Sequence, residues 1–105
     1  MRIIAIQEIS IDGTGRLFVR PKLCNDADFA LIYRAAAGID WDADSRSLVA
    51  PKPKEWSYLD WFQNILSAVR TEYGDQLTFS SHTRWSNVPD DLRLKMEQIF
   101  IEPAT

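Results

Sequence analysis

A chain of 105 residues with 46% hydrophobic and 26% charged residues has the size and composition of one globular domain, with room for a modest core and no second domain. Its formal charge of −3 and pI near 5.0 supply no positive field for a phosphate backbone, so nucleic acid is excluded as the expected partner. One cysteine, Cys24, cannot form an intramolecular disulfide, and no run of apolar residues reaches membrane-spanning length. The N-terminal apolar run is too short for a signal peptide, so the expectation is a cytoplasmic, soluble protein with no membrane partner.

Residues 3–12, IIAIQEISID, alternate as a strand, yet the apolar phase moves from Ile4 and Ile6 to Ile9 and Ile11. A β-bulge at Gln7-Glu8 absorbs that slip, whereas an unbroken strand turns Glu8 inward, to pair with Arg34 or to line a pocket. Asp12-Gly13-Thr14-Gly15 then supplies turn chemistry, and residues 16–20 return as the second strand of a hairpin before Pro21.

The same grammar recurs thirty residues later. Residues 5–22 and 35–52 share Ala5/Ala35, Ile9/Ile39, Asp12/Asp42, Arg16/Arg46, Val19/Val49, Pro21/Pro51 and Lys22/Lys52, which predicts two similar hairpins. Alone, NDADFALIYRAAAG reads as a helix capped by Asn25 or Asp26 and closed by Gly38. The repeat favours a strand instead, with Phe29, Leu31, Tyr33 and Ala35 at alternate positions running toward Trp41. The small residues Ala35-Ala36-Ala37-Gly38 then let another element approach closely. Pro51 and Pro53 end the second hairpin and predict an edge position for its last strand.

Four aromatic residues crowd EWSYLDWF, residues 55–62. Ser57 followed three positions later by Asp60 is a capping pattern. On that numbering Trp56 and Trp61 occupy the two positions of a hydrophobic staple. Tyr58, Phe62, Ile65, Leu66, Val69 and Tyr73 continue one apolar stripe, and Gly74 stands where a left-handed cap belongs, so a helix is predicted over 57–73. Residues 76–80 read as a short strand, and 81–86 as a connection. Pro89, Asp90 and Asp91 open a last helix, whose stripe is Leu92, Met96, Ile99 and Phe100. The predicted fold is α+β: a mainly antiparallel sheet of about five strands built from two similar hairpins, then a helix, a short strand and a C-terminal helix.

Chemistry-bearing residues form no catalytic constellation. Asp40, Asp42 and Asp44 alternate as in the first half of a calcium loop, but Ser45 replaces the required glycine and Pro51 the bidentate glutamate. His82 is the lone histidine. Its neighbours Ser80 and Ser81, or Cys24, make a nucleophile only in a geometry that sequence adjacency does not provide. No cofactor and no metal are implied, and the favoured reading is non-enzymatic.

Four tryptophans remain. Trp41, Trp56, Trp61 and Trp85, with Arg84, are the candidate interface of an interaction module, either a homodimer or an acidic accessory protein of the immunity type that binds another protein. The alternative is a small-molecule or catalytic pocket between the sheet and the 57–73 helix, lined by Glu8, Tyr33, Trp61 and His82. No motif identifies a family or a specific role.

Overall fold

The computed structural model describes residues 2–23 and 28–99. Its strands are β1 (Arg2–Ile11), β2 (Leu17–Pro21), β3 (Asp40–Asp42), β4 (Ser47–Ala50), β5 (Asp75–Thr78) and β6 (Arg84–Ser86), with helices α1 (Tyr58–Tyr73) and α2 (Asp90–Gln98). The sheet runs β3-β4-β2-β1-β5, with β6 also paired to β1. The pairs β1–β2, β2–β4 and β3–β4 are antiparallel, while β5 and β6 both run parallel to β1. The α+β prediction therefore stands, on a mixed sheet of six strands.

The register shift between Ile6 and Glu8 is the expected bulge. It keeps Ile4, Ile6 and Ile9 on the buried face and sends Glu8 to the other, where it stands across from Arg20 on β2 and Arg84 on β6. The inward Glu8–Arg34 pair is not formed, and Arg34 instead lies 3.5 Å from Glu72 of α1. β5 pairs with residues 2–5 of β1 and β6 with residues 8–10. Between them the Thr83 hydroxyl donates to the Ile6 carbonyl at 2.6 Å, satisfying an acceptor exposed where the ladder is broken.

Both hairpins form, and each is closed by its aspartate. Asp12 accepts the Thr14 hydroxyl at 2.7 Å and the Thr14 and Arg16 amides. Asp42 accepts the Ser45 hydroxyl at 2.6 Å. The segment before the second hairpin is not the predicted strand. Residues 32–34 form a single 3-10 turn, and Phe29, Ile32, Ala36 and Ile39 are buried while Leu31 and Tyr33 are exposed. That spacing of three and four belongs to a turning chain. Tertiary anchors hold it: the Leu31 amide donates to the Tyr73 hydroxyl at 2.9 Å, and Phe29 packs edge-on against Tyr73 at 4.6 Å.

β4 is likewise no edge. It pairs with β2 on one side and β3 on the other, so Pro51 and Pro53 end the strand without exposing it, and the three-residue β3 forms that edge of the sheet. Helix α1 follows its prediction closely. The Ser57 hydroxyl accepts the Asp60 amide, the Asp60 carboxylate accepts the Ser57 amide, and Gly74 closes the helix with a φ of 69°. Phe62, Ile65, Ala68 and Val69 are its buried face.

Between sheet and helix lies one core cluster. A transverse row of cross-strand partners organises it: Trp85, Ile9, Val19, Leu48 and Trp41, on β6, β1, β2, β4 and β3. The three central residues are fully buried and a half-buried tryptophan closes each end. Met96 of α2 joins the same core, with Leu92 and Ile99 packed partly against it. Phe100 and Cys24, with any Cys24–His82 dyad, lie outside the described residues.

Candidate functional site

The site grows from the segment between β4 and α1. Pro51 and Pro53 have no N–H to offer a ladder, so the chain leaves the sheet after Ala50 and turns toward the start of the helix. There the cap fixes its direction. Ser57 N and Oγ are both engaged with Asp60, at 3.0 and 3.1 Å, and the Trp56 and Trp61 rings pack at 4.9 Å with a tilt of 53°. The staple that the spacing predicts is present.

Two further contacts tie this corner down. The Tyr58 hydroxyl donates to the Gly15 carbonyl at 2.8 Å, joining the helix start to the first hairpin turn, and the stem of Lys52 lies against Gly15. On the other side Trp61 rests on Gly38: a Cβ at that glycine would fall 2.9 Å from Trp61 Cη2. Small residues at 37 and 38 thus receive the indole, the close approach expected of that stretch, although it is not a strand.

Between these contacts opens a cleft of about 600 Å³. Its apolar lining is Trp56, Trp61, Ala37 and Pro51, and its polar lining is Lys52, Lys54 and Glu55. The three charged residues are exposed, and Trp56 keeps 47% of its surface in water although it packs on Trp61. The lining offers an aromatic wall and solvated charges, with no histidine or cysteine among its described residues. Such an arrangement offers contact area and charge.

The four residues expected to line a pocket are not brought together in this cleft: only Trp61 lines it. Glu8 lies on the face of the sheet opposite the core, Tyr33 is 59% exposed on the 3-10 turn, and His82 is exposed in the β5–β6 loop, where its amide donates to the Ser80 hydroxyl at 3.1 Å. The expected interface also divides. Trp41 and Trp85 stand at opposite ends of the core row, four strand steps or about 19 Å apart. Trp41 packs on Phe29 at 5.8 Å and Trp85 on Phe79 at 4.9 Å. The cation over Trp85 is Arg93 of α2, at 5.0 Å, rather than the adjacent Arg84, which is exposed on the opposite face.

The acidic spacing Asp40-x-Asp42 places both carboxylates on the outer face, in a small polar cleft with Arg16 and Phe18. The Ser45 hydroxyl holds the Asp42 carboxyl below its ordinary range. At the first turn the Thr14 hydroxyl, helped by the Arg16 and Thr14 amides, brings Asp12 down to about 2. Both shifts follow from turn hydrogen bonds and serve the hairpins.

Sequence reasoning found Trp56 and Trp61 but passed over Lys52, Lys54, Pro51 and Ala37. The usable signal is PKPKEW, residues 51–56, in which prolines keep the backbone extended and lead two lysines up to the aromatic staple.

The family model described as Integron Cassette Protein Hfx_Cass5 matches residues 3–83, a span that contains every residue of the cleft. A solved structure, the Integron Cassette Protein Hfx_Cass5 from the mobile metagenome of North West Arm Sewage Outfall, is 41% identical and aligns over 93% of this chain and 95% of that one, with a TM-score of 0.45. No curated protein matches the sequence.

Proposed function

The chain belongs to the Hfx_Cass5 family of integron cassette proteins, and on that premise we propose that it is a small non-enzymatic protein-interaction module whose contact surface is the Trp56/Trp61 cleft. The observation that carries this reading is a half-exposed tryptophan, stapled to a second one, in an open cleft with a largely apolar lining. Tryptophan in such a setting combines a large contact area with little conformational freedom to lose, which is why it dominates binding hot spots. The partner is a second copy of the chain or another protein.

A ligand pocket between the sheet and α1 has less support. That layer is occupied by Ile6, Ile9, Val19, Leu48, Phe62, Ile65 and Val69, all fully buried.

Light scattering during size-exclusion chromatography, over a range of concentrations, tests the reading on the wild type and on Trp56→Ala. A dimer that Trp56→Ala dissociates into monomers that still unfold cooperatively supports self-association through the cleft. A monomer leaves a foreign protein chain as the partner, for which the peptide selection below is the test. A dimer indifferent to Trp56→Ala forms through another face and removes self-association through the cleft, and the reading is then overturned if the peptide selection below finds nothing that depends on Trp56.

A further inference from the structure

We infer that the cleft receives an acidic segment of another protein chain, with an apolar side chain against Trp56 and Trp61 and flanking carboxylates on Lys52 and Lys54. This rests on the reading of the cleft as a contact surface and names the chemistry of its partner. The argument is charge complementarity. The chain has a formal charge of −3, yet the polar lining of the cleft is two cations against one anion, Glu55.

Carboxylates elsewhere already hold arginines: Asp75 with Arg2, Asp12 with Arg16, Glu72 with Arg34 and Glu97 with Arg93, at 2.8 to 3.5 Å. Neither lysine of the cleft takes part in these pairs. The stem of Lys52 passes close to Gly15, beside the aromatic wall, which leaves its ammonium free to reach a partner's carboxylate. The overall negative charge does not forbid an acidic partner, because at physiological salt charges farther away than about 8 Å are largely screened and the local pair of lysines decides the interaction.

The shape favours a chain segment over a small acid. Small-molecule sites enclose most of their ligand, whereas this cleft is open and flanked by exposed residues, which suits a side chain inserted from an extended or helical segment.

A random-peptide phage library selected on the immobilised full chain tests the inference. Expected are peptides with Asp or Glu on either side of Trp, Phe or Leu. Their affinity should fall about fivefold for Lys54→Glu, the upper end for the loss of a surface ion pair, and fall also for Lys52→Met, which keeps the apolar stem beside Gly15. Trp56→Ala should abolish binding while the chain still unfolds cooperatively, its midpoint lowered only by the loss of the ring contact with Trp61, and this variant stands in for Trp61, whose removal also disturbs Gly38. Peptides without an acidic bias that still require Trp56 overturn the acidic partner and leave the contact surface intact. Peptides that ignore Trp56→Ala, or none retained above bare support, overturn both. A wild-type dimer that Trp56→Ala dissociates puts a second copy in the cleft and overturns the foreign segment alone.

Discussion

Gly38 shows what one residue contributes to the cleft. Its φ of +89° is a conformation that a side chain rarely adopts, and the atom an alanine would add falls 2.9 Å from Trp61 Cη2. Gly74 makes the useful contrast, since its φ is +69° with nothing within 4 Å of the added atom. Both Gly→Ala changes lose about 1–2 kcal/mol to backbone strain, and Gly38→Ala loses more because the indole or the turn must also move. Urea midpoints of the two variants decide it, and equal losses would mean that Trp61 yields freely. The tryptophan spectrum should change in Gly38→Ala only. Glycine at 38 was read from the sequence as allowing a close approach, but which ring would use the space required the fold.

At the scale of elements, α1 was the most legible part of the chain because its signals are local. Capping serine, reciprocal acid, staple and terminal glycine each act within a turn of the helix, so the residues that specify it are neighbours in sequence. Ser57→Ala should lower stability by about 1 kcal/mol through loss of the cap. Thermal or urea unfolding measures it, and an unchanged midpoint would show the Asp60 carboxylate and the tryptophan staple to be sufficient alone. The segment 29–39 was misread for the opposite reason. Its apparent alternation competed with a spacing of three and four, and the choice was made by Tyr73 and Glu72, some forty residues away, through Leu31 and Arg34. β6 had no local signature either: three residues become a strand because β1 leaves half of one edge unpaired beyond its bulge.

For the whole molecule, the organising element is β1, which pairs with β2 along one edge and with β5 and β6 in succession along the other. Opening it breaks three pairings at once, whereas β3 has one neighbour and three residues. Native-state amide exchange should therefore be slowest in the ladder amides of β1 and fastest in those of β3, and comparable protection in the two would contradict the central place of β1. The four tryptophans also divide at this scale. Two close the ends of the core row and two meet at the start of α1, so their number predicted an aromatic surface while their positions reduce it to one cleft. No helix among the described residues is long and apolar enough to cross a membrane.

By itself the sequence determined the α+β class, the bulge at Gln7-Glu8, both hairpin turns and the limits of α1, because each depends on side chains and dihedrals within a few residues of one another. Tertiary structure alone decided the parallel placement of β5 and β6, the interior position of β4 and the meeting of Lys52, Lys54, Trp56 and Trp61 with Ala37. Those arrangements depend on which apolar faces can be buried together and which backbone groups still need partners, and such contacts join residues far apart in the chain.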